Sequence, residues 1–149
     1  MKTINIGLIG CGTVTLKVHV PALMVNPQAK LSAYCFRIVA LCGLDSENIE
    51  YLNTILPHAK VFTDYRELVD SELCDAVLVA TGEELHPQIS EYAARKDLFV
   101  LCEKPFATSV TQIEDLMHSL PVEQQAKIQV AFNKRFYPVD SEIQRCIQD

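Results

Sequence analysis

Short runs of β-branched and other apolar residues alternate along this chain with longer stretches in which apolar positions recur every three or four residues. The first pattern is that of strands and the second that of amphipathic helices. Residues 4–9, 38–44, 60–62, 76–80, 99–102 and 128–132 read as strands. Helices are predicted over 13–24, 46–56, 86–96 and 138–147, with a brief helical turn over 65–69. In 86–96, Ile89, Tyr92 and Ala93 share one face. Pro21 is expected to kink or stop the first helix, and Pro57 closes the second. Asp64 is placed to cap the brief turn, and Pro138 suits the first turn of the terminal helix. Ser109 and Gln112 have the spacing of a capping box, which predicts a further helix ending near Ser119.

Several strands, 76–80 above all, are apolar throughout rather than alternating. Such strands are covered on both faces, as in a parallel sheet. Helices between them imply right-handed crossovers. The predicted fold is α/β, a doubly wound and mainly parallel sheet of about six strands. No repeat, low-complexity tract or linker interrupts residues 1–149, which are read as one domain. Residues 27–37 exceed what a connection to the next strand needs and read as a local insertion.

Composition narrows the class. A chain of 149 residues can bury a core without disulfides or a structural metal. Hydrophobic residues at 49% and charged residues at 21% exclude a disordered chain, a coiled coil and a collagen-like fibre. Thirteen Lys and Arg against nineteen Asp and Glu leave a net charge of −6. The basic residues are scattered, which argues against a nucleic-acid partner. The six cysteines include no C-x-x-C pair, so no metal site is predicted. Most lie inside apolar runs, where reduced thiols behave as small hydrophobes. No stretch approaches the roughly 20 apolar residues of a membrane span, and the amino terminus lacks the pattern of a secretory signal. A cytoplasmic protein without a membrane partner is expected.

The first strand runs into Gly10-Cys11-Gly12-Thr13-Val14-Thr15. Glycines at a strand-to-helix turn let the chain reverse tightly and let the backbone approach a pyrophosphate without a Cβ in the way. The following helix offers free N–H groups and a positive dipole end. A glycine pair also makes ordinary turns, but its position after the first strand and before a helix favours dinucleotide binding. The third fingerprint position, usually Gly or Ala, is Thr15. A residue of that size would hold the helix further from the strand or satisfy its hydroxyl locally.

Asp45 follows the second strand. A carboxylate there can accept the hydroxyls of an adenosine ribose and would repel a 2′-phosphate, which favours NAD over NADP. It can equally cap the helix that begins there, and the two roles can coexist. Asp45 lies farther from Gly12 than the usual spacing of about twenty positions; the insertion before Arg37 accounts for the excess.

Charged and polar residues also follow the later strands: Thr81-Gly82-Glu83-Glu84-Leu85-His86, then Glu103-Lys104-Pro105, then Asn133-Lys134-Arg135-Phe136-Tyr137-Pro138. The carboxyl ends of parallel strands are where such sheets bind ligands. With the glycine pair, these segments resemble, in this order, the glucose–fructose oxidoreductase / inositol dehydrogenase / MocA (Gfo/Idh/MocA) family of NAD(P)-dependent oxidoreductases. The resemblance runs from Ile4 to about Ile147, and Glu103-Lys104-Pro105 is its most specific element.

The resemblance implies a Rossmann fold with cofactor held by Gly10, Gly12 and the N–H groups of Thr13 and Val14. It implies Asp45 at the adenosine ribose, Thr81, Gly82 and His86 along the cofactor, and Glu103 near the nicotinamide ribose. Lys104 would be the catalytic residue, polarising or orienting a substrate hydroxyl or carbonyl, and Pro105 would lock its turn through a cis bond. Two departures stand out. Gly82-Glu83 replaces the family's usual Pro-Asn, and Thr15 replaces a small residue. Other readings remain open. His86 could cap the helix that starts beside it, Lys104 could pair with Glu103 on the surface, and Arg135 could stack on Phe136. His19, His58 and His118 are read as structural or solvated.

Members of the family continue into a second α/β domain that supplies substrate specificity, an acid/base residue and the dimer interface. The expectation is therefore the cofactor-binding half of an oxidoreductase acting on a sugar, polyol or related hydroxy or keto compound, inactive by itself. The isolated domain is expected to be mainly monomeric, the longer protein an oligomer, and an apolar docking patch to be exposed. The alternatives are a non-catalytic NAD(P)-binding sensor and a domain of this fold without cofactor.

Overall fold

The first strand, β1 (Lys2–Ile9), carries side chains of decreasing exposure toward its carboxyl end, where Gly7 to Ile9 are buried. The structure, a computed structural model, describes residues 2–25 and 33–148. Along the chain follow α1 (Val20–Val25), β2 (Tyr34–Cys42), α2 (Ser46–Ile55), β3 (Lys60–Phe62) and α3 (Tyr65–Asp70). Then come β4 (Ala76–Val79), α4 (His86–Arg95), β5 (Phe99–Cys102), α5 (Val110–Ser119), α6 (Val122–Gln125), β6 (Ile128–Val130) and α7 (Pro138–Gln148). The six strands form one sheet in the order β3-β2-β1-β4-β5-β6, every pair parallel. This is the doubly wound Rossmann arrangement, with the switch of direction between β1 and β4.

The two windings place their helices on opposite faces. Leu8, Leu41, Leu52 and Leu78 pack with Val20 in one buried cluster, against α1 and α2. Ile9, Val77, Val79, Val100 and Cys102 pack with Leu68, Ile89 and Ala93 in the other, against α3 and α4. Because β4, β5 and β6 advance away from β1, their crossover helices lie on the second face only. The first face of β5 therefore stays open among the described residues: Phe99 is 60% exposed and Leu101 38%. This corrects for β5 the expectation that the apolar strands are covered on both sides; β4 meets it, with Val77 and Val79 buried on one face and Leu78 on the other. Ile4, Leu23, Phe36 and Leu78 share with Phe99 and Leu101 a groove of about 400 Å³. Cys11, Cys42 and Cys102 are buried and, like the other cysteines, are free thiols.

Several boundaries depart from the sequence reading. The helix that starts at Thr13 does not break at Pro21. Residues Thr15–His19 form a π-turn, in which the Val20 N–H donates to the Thr15 carbonyl five residues back. The α-helical register restarts at Val20, so Pro21 falls in a first turn, where a missing N–H costs little. β2 begins at Tyr34 because Tyr34 to Arg37 pair with Lys2 to Asn5. The Arg37 guanidinium also donates to the Asn5 side chain at 3.1 Å. Of the expected insertion, residues 27–32 lie outside the described residues. β6 stops at Val130, and a 3₁₀ turn (Asn133–Phe136) precedes α7. Asp64 and the Ser109–Gln112 capping box cap their helices as the sequence implies. Among the described residues no helix is long and apolar enough to cross a membrane.

Candidate functional site

Strand polarity brings Gly10, Asp45, Thr81, Glu103 and Asn133 to one edge of the sheet, just beyond the carboxyl ends of β1, β2, β4, β5 and β6. At the first turn, Gly10 has φ +94, and a Cβ there would lie 2.4 Å from the Ala80 carbonyl oxygen. That glycine is required by the close approach of β1 to the chain leaving β4. Gly12 differs: a Cβ there meets no heavy atom within 4 Å. No packing contact explains its glycine, and the space beside it is open. The Leu16 N–H donates to the Gly12 carbonyl at 3.0 Å. The N–H groups of Thr13 and Val14 therefore precede the first intrahelical bond of this helix. The residues fit a phosphate group at this turn: open space at Gly12 and N–H donors at the start of the helix.

Thr15 is fully buried, and its hydroxyl donates to the Gly10 carbonyl. Its hydroxyl is thus satisfied locally, and the turn that carries the two glycines is tied to the helix by that bond. Asp45 caps α2: Oδ1 accepts from the N–H groups of Glu47 and Asn48, each at 3.1 Å, and Oδ2 accepts from the Asn48 amide at 3.0 Å. A carboxylate has about four acceptor positions, so one remains for a ligand hydroxyl. Gly82 starts a short 3₁₀ turn (Glu83–Leu85), and the half-buried Thr81 turns its hydroxyl to the Gly82 carbonyl at 3.3 Å.

His86 is 2% exposed. Its Nδ1 lies 2.8 Å from the Pro105 carbonyl and its Nε2 3.1 Å from the Thr81 carbonyl. Its side chain makes no helix cap; it ties the loop after β4 to the loop after β5. With both ring nitrogens facing main-chain carbonyls, it is not presented for proton transfer to a substrate. The Lys104–Pro105 peptide bond is cis.

Glu103 has two engagements. Its Oε1 lies 2.9 Å from His19 Nε2, both side chains being only 10–12% exposed, and its Oε2 accepts the Lys104 N–H at 3.0 Å. The surface ion pair of Lys104 with Glu103 does not form, and the Lys104 ammonium has no partner among the described contacts. The sequence reading gave His19 as structural or solvated; it is structural, and what the sequence did not show is its Glu103 partner. The signal of His19 was faint: a histidine four positions after Thr15 on a helix that also carries Thr13 and Lys17. The π-turn brings Thr15, His19 and Val20 to the same buried side.

These groups surround a cleft of about 290 Å³ that includes Val14, Thr81, Glu83, His86, Glu103 and Lys104. Val14 and Val18 form its helical wall, each about half exposed. A neighbouring hollow of about 610 Å³ shares Lys104 and Asn133 with it and adds Lys134, Arg135 and Tyr137. Arg135 faces that hollow, and no stacking on Phe136 occurs among the described ring contacts. Gly10, Gly12 and Asp45 lie outside the cleft lining, toward the β1–β2 side of the sheet edge. Among the described residues no group of three or more His, Cys, Asp and Glu is arranged to hold a metal ion.

A parallel sheet with a glycine turn at the switch point and a cleft beyond β4 and β5 defines a nucleotide-binding domain of the Rossmann class. The chain belongs to the Gfo/Idh/MocA oxidoreductase family, with its NAD-binding Rossmann fold, whose sequence pattern matches residues 4–132. It is 29% identical over 145 residues to inositol 2-dehydrogenase 2 of Saccharopolyspora erythraea, covering 97% of this chain and 41% of that protein. An oxidoreductase from Thermotoga maritima superposes with a TM-score of 0.83 at 28% identity, over 99% of this chain and 43% of that one. A scyllo-inositol dehydrogenase from Lactobacillus casei, solved with NAD(H) and scyllo-inositol, shares the fold with a TM-score of 0.85 at 23% identity, over 99% of this chain and 41% of that one. The chain thus spans less than half the length of these relatives.

Proposed function

We propose that these residues form the cofactor-binding half of an NAD(P)-dependent oxidoreductase that moves hydride between the nicotinamide and a sugar, polyol or related hydroxy or keto compound. The observation that carries this reading is Gly12, a glycine whose Cβ space is empty at the start of a helix whose first N–H groups have no intrahelical partner. In this reading Gly10 shapes the turn, and Gly12 with the Thr13 and Val14 amides receives the pyrophosphate. Asp45 takes a ribose hydroxyl with its remaining acceptor position and disfavours a 2′-phosphate, which makes NAD the preferred cofactor. Thr81 and Gly82 border the cofactor midway. The bound nicotinamide supplies the hydride chemistry. Lys104, an ammonium without a protein partner at the edge of the cleft, orients the substrate oxygen and stabilises negative charge developing on it. Glu103 and His86 hold the loop that carries Lys104. In this reading the substrate-specifying part of the protein lies in sequence beyond these 149 residues, and the chain alone turns over little.

Titration with NADH and NADPH, followed by cofactor fluorescence, tests the reading. Saturable binding is expected, with NADH tighter than NADPH by about tenfold, which corresponds to about 1.4 kcal/mol. Absence of saturable binding of either nucleotide at millimolar concentration would refute it.

A further inference from the structure

We infer that Glu83 sets the redox preference of this site, favouring the oxidised, positively charged nicotinamide over the reduced, neutral one. The inference rests on the cofactor reading above and goes beyond it by assigning a role to a residue that reading leaves idle. Three charged side chains line the cleft: Glu83, Glu103 and Lys104. Glu103 is already committed, to His19 on one oxygen and to the Lys104 N–H on the other. Glu83 is not: the described contacts give its carboxylate neither a hydrogen bond nor an ion pair. Its backbone is held, because the His86 N–H donates to the Glu83 carbonyl and the Leu85 N–H to the Gly82 carbonyl. Glu83 therefore lines the cleft from a short turn whose backbone is held.

Its place in the sheet gives that charge a target. In a doubly wound sheet the dinucleotide lies across the switch point, here between β1 and β4. Asp45, on the β2 side, marks the adenosine half, so the nicotinamide half lies over β4, β5 and β6. Glu83 leaves β4 on that second side and shares its cleft with Lys104. The two redox forms of the cofactor differ there by one positive charge on the ring. A carboxylate without a protein partner attracts the charged form and does little to the neutral one. Lys104, which lines both the cleft and the larger hollow, opposes that attraction from the next strand, so the bias is the net of the two charges, and removal of the carboxylate shifts that net toward the neutral form. The consequence is a bound cofactor biased toward its oxidised form.

The test compares dissociation constants of NAD⁺ and NADH, by calorimetry, for the wild type, Glu83→Gln and the control Glu84→Gln, whose exposed carboxylate does not line the cleft. Glu83→Gln is expected to weaken NAD⁺ binding and leave NADH nearly unchanged, raising the ratio of the NAD⁺ constant to the NADH constant by about three- to tenfold at low salt. Glu84→Gln should leave the ratio as it is. A wild-type ratio retained in Glu83→Gln, with both nucleotides still binding, overturns the role of Glu83 and leaves the cofactor reading intact. An equal shift in Glu84→Gln overturns it too, because the effect would then be a general surface potential. Failure of both nucleotides to bind the wild type removes the cofactor reading and this inference together.

Discussion

The two glycines of the first turn make opposite predictions for the same substitution. At Gly10, alanine would need a backbone at φ +94 and would set its Cβ 2.4 Å from the Ala80 carbonyl oxygen and 2.5 Å from its carbon. Neither neighbour is a flexible side chain, so β1 and the chain leaving β4 must separate. Left-handed strain of about 1–2 kcal/mol adds to that overlap, and a total loss of about 3 kcal/mol or more is expected for Gly10→Ala. At Gly12 the Cβ enters open space, and φ is not in the left-handed region. Gly12→Ala should therefore leave stability unchanged or raise it by about 0.4–1 kcal/mol, by restricting the unfolded chain. The same methyl occupies the space assigned to the pyrophosphate, so NADH affinity should fall by about tenfold or more. Urea denaturation followed by circular dichroism separates the two, with the Gly10→Ala midpoint falling by more than about 1 M. NADH fluorescence reads the affinity. If Gly12→Ala binds NADH as the wild type does, no phosphate sits at Gly12. If it unfolds as easily as Gly10→Ala, the glycine is structural and holds no space for a phosphate.

Other expectations follow from contacts already described. His19→Ala leaves the Glu103 carboxylate without its partner in a site where both side chains are 10–12% exposed; a loss of about 2–3 kcal/mol is expected in urea, with His19→Gln, which keeps a donor, recovering part of it. Asp45→Ala removes the cap of α2, costing about 1 kcal/mol, and should narrow the preference for NADH over NADPH, whereas an unchanged preference would assign Asp45 to capping alone. Burial raises the Cys11 thiol to about 12 and those of Cys42, Cys74 and Cys102 to about 11, from 9.0. The folded chain then keeps protons that the unfolded chain releases. Stability is full below about pH 9 and falls as pH rises from 9 toward 11, which urea midpoints across that range would measure. At pH 8 a disulfide reagent should modify the exposed Cys146 at once and the buried Cys11, Cys42 and Cys102 only on unfolding.

What the sequence made legible was whatever local chemistry determines. Residues 60–62 and 99–102 emerged with the bounds that the structure has, and the helix that the Ser109–Gln112 box announces ends at Ser119, where it was expected to end nearby. An apolar run between turn residues specifies a short strand, and the Ser109–Gln112 box fixes its helix start within four residues. Residues whose state depends on distant partners were not legible. Tyr34 to Arg37 are strand only because Lys2 to Asn5 lie beside them. α6 is a single turn, too short for any period to show. The open face of β5 was invisible because an apolar strand looks the same whether one face or two are covered. In the site, the glycine pair stood out because it shapes its own backbone, and Glu103-Lys104-Pro105 because charged residues follow an apolar strand there and the segment resembles that of a known family. His19 did not: its partner Glu103 is 84 positions away, and its inward orientation depends on the π-turn before it.

That π-turn decouples two ends of one helix. An α-helix advances about 100° per residue, so one extra residue would swing everything after it around the axis and carry Val20 and Leu23 off the sheet. The wider turn at Thr15–His19 absorbs the additional residue in place. The glycine turn keeps its phase relative to β1, and the apolar side of α1 keeps its phase relative to β2. Loss of one residue from 16–18 would convert the segment to a plain α-turn with both phases preserved, while loss of one from 20–25 would rotate the remainder of α1 off the core. The helix thus tolerates a change of length at one point and forbids it a turn later.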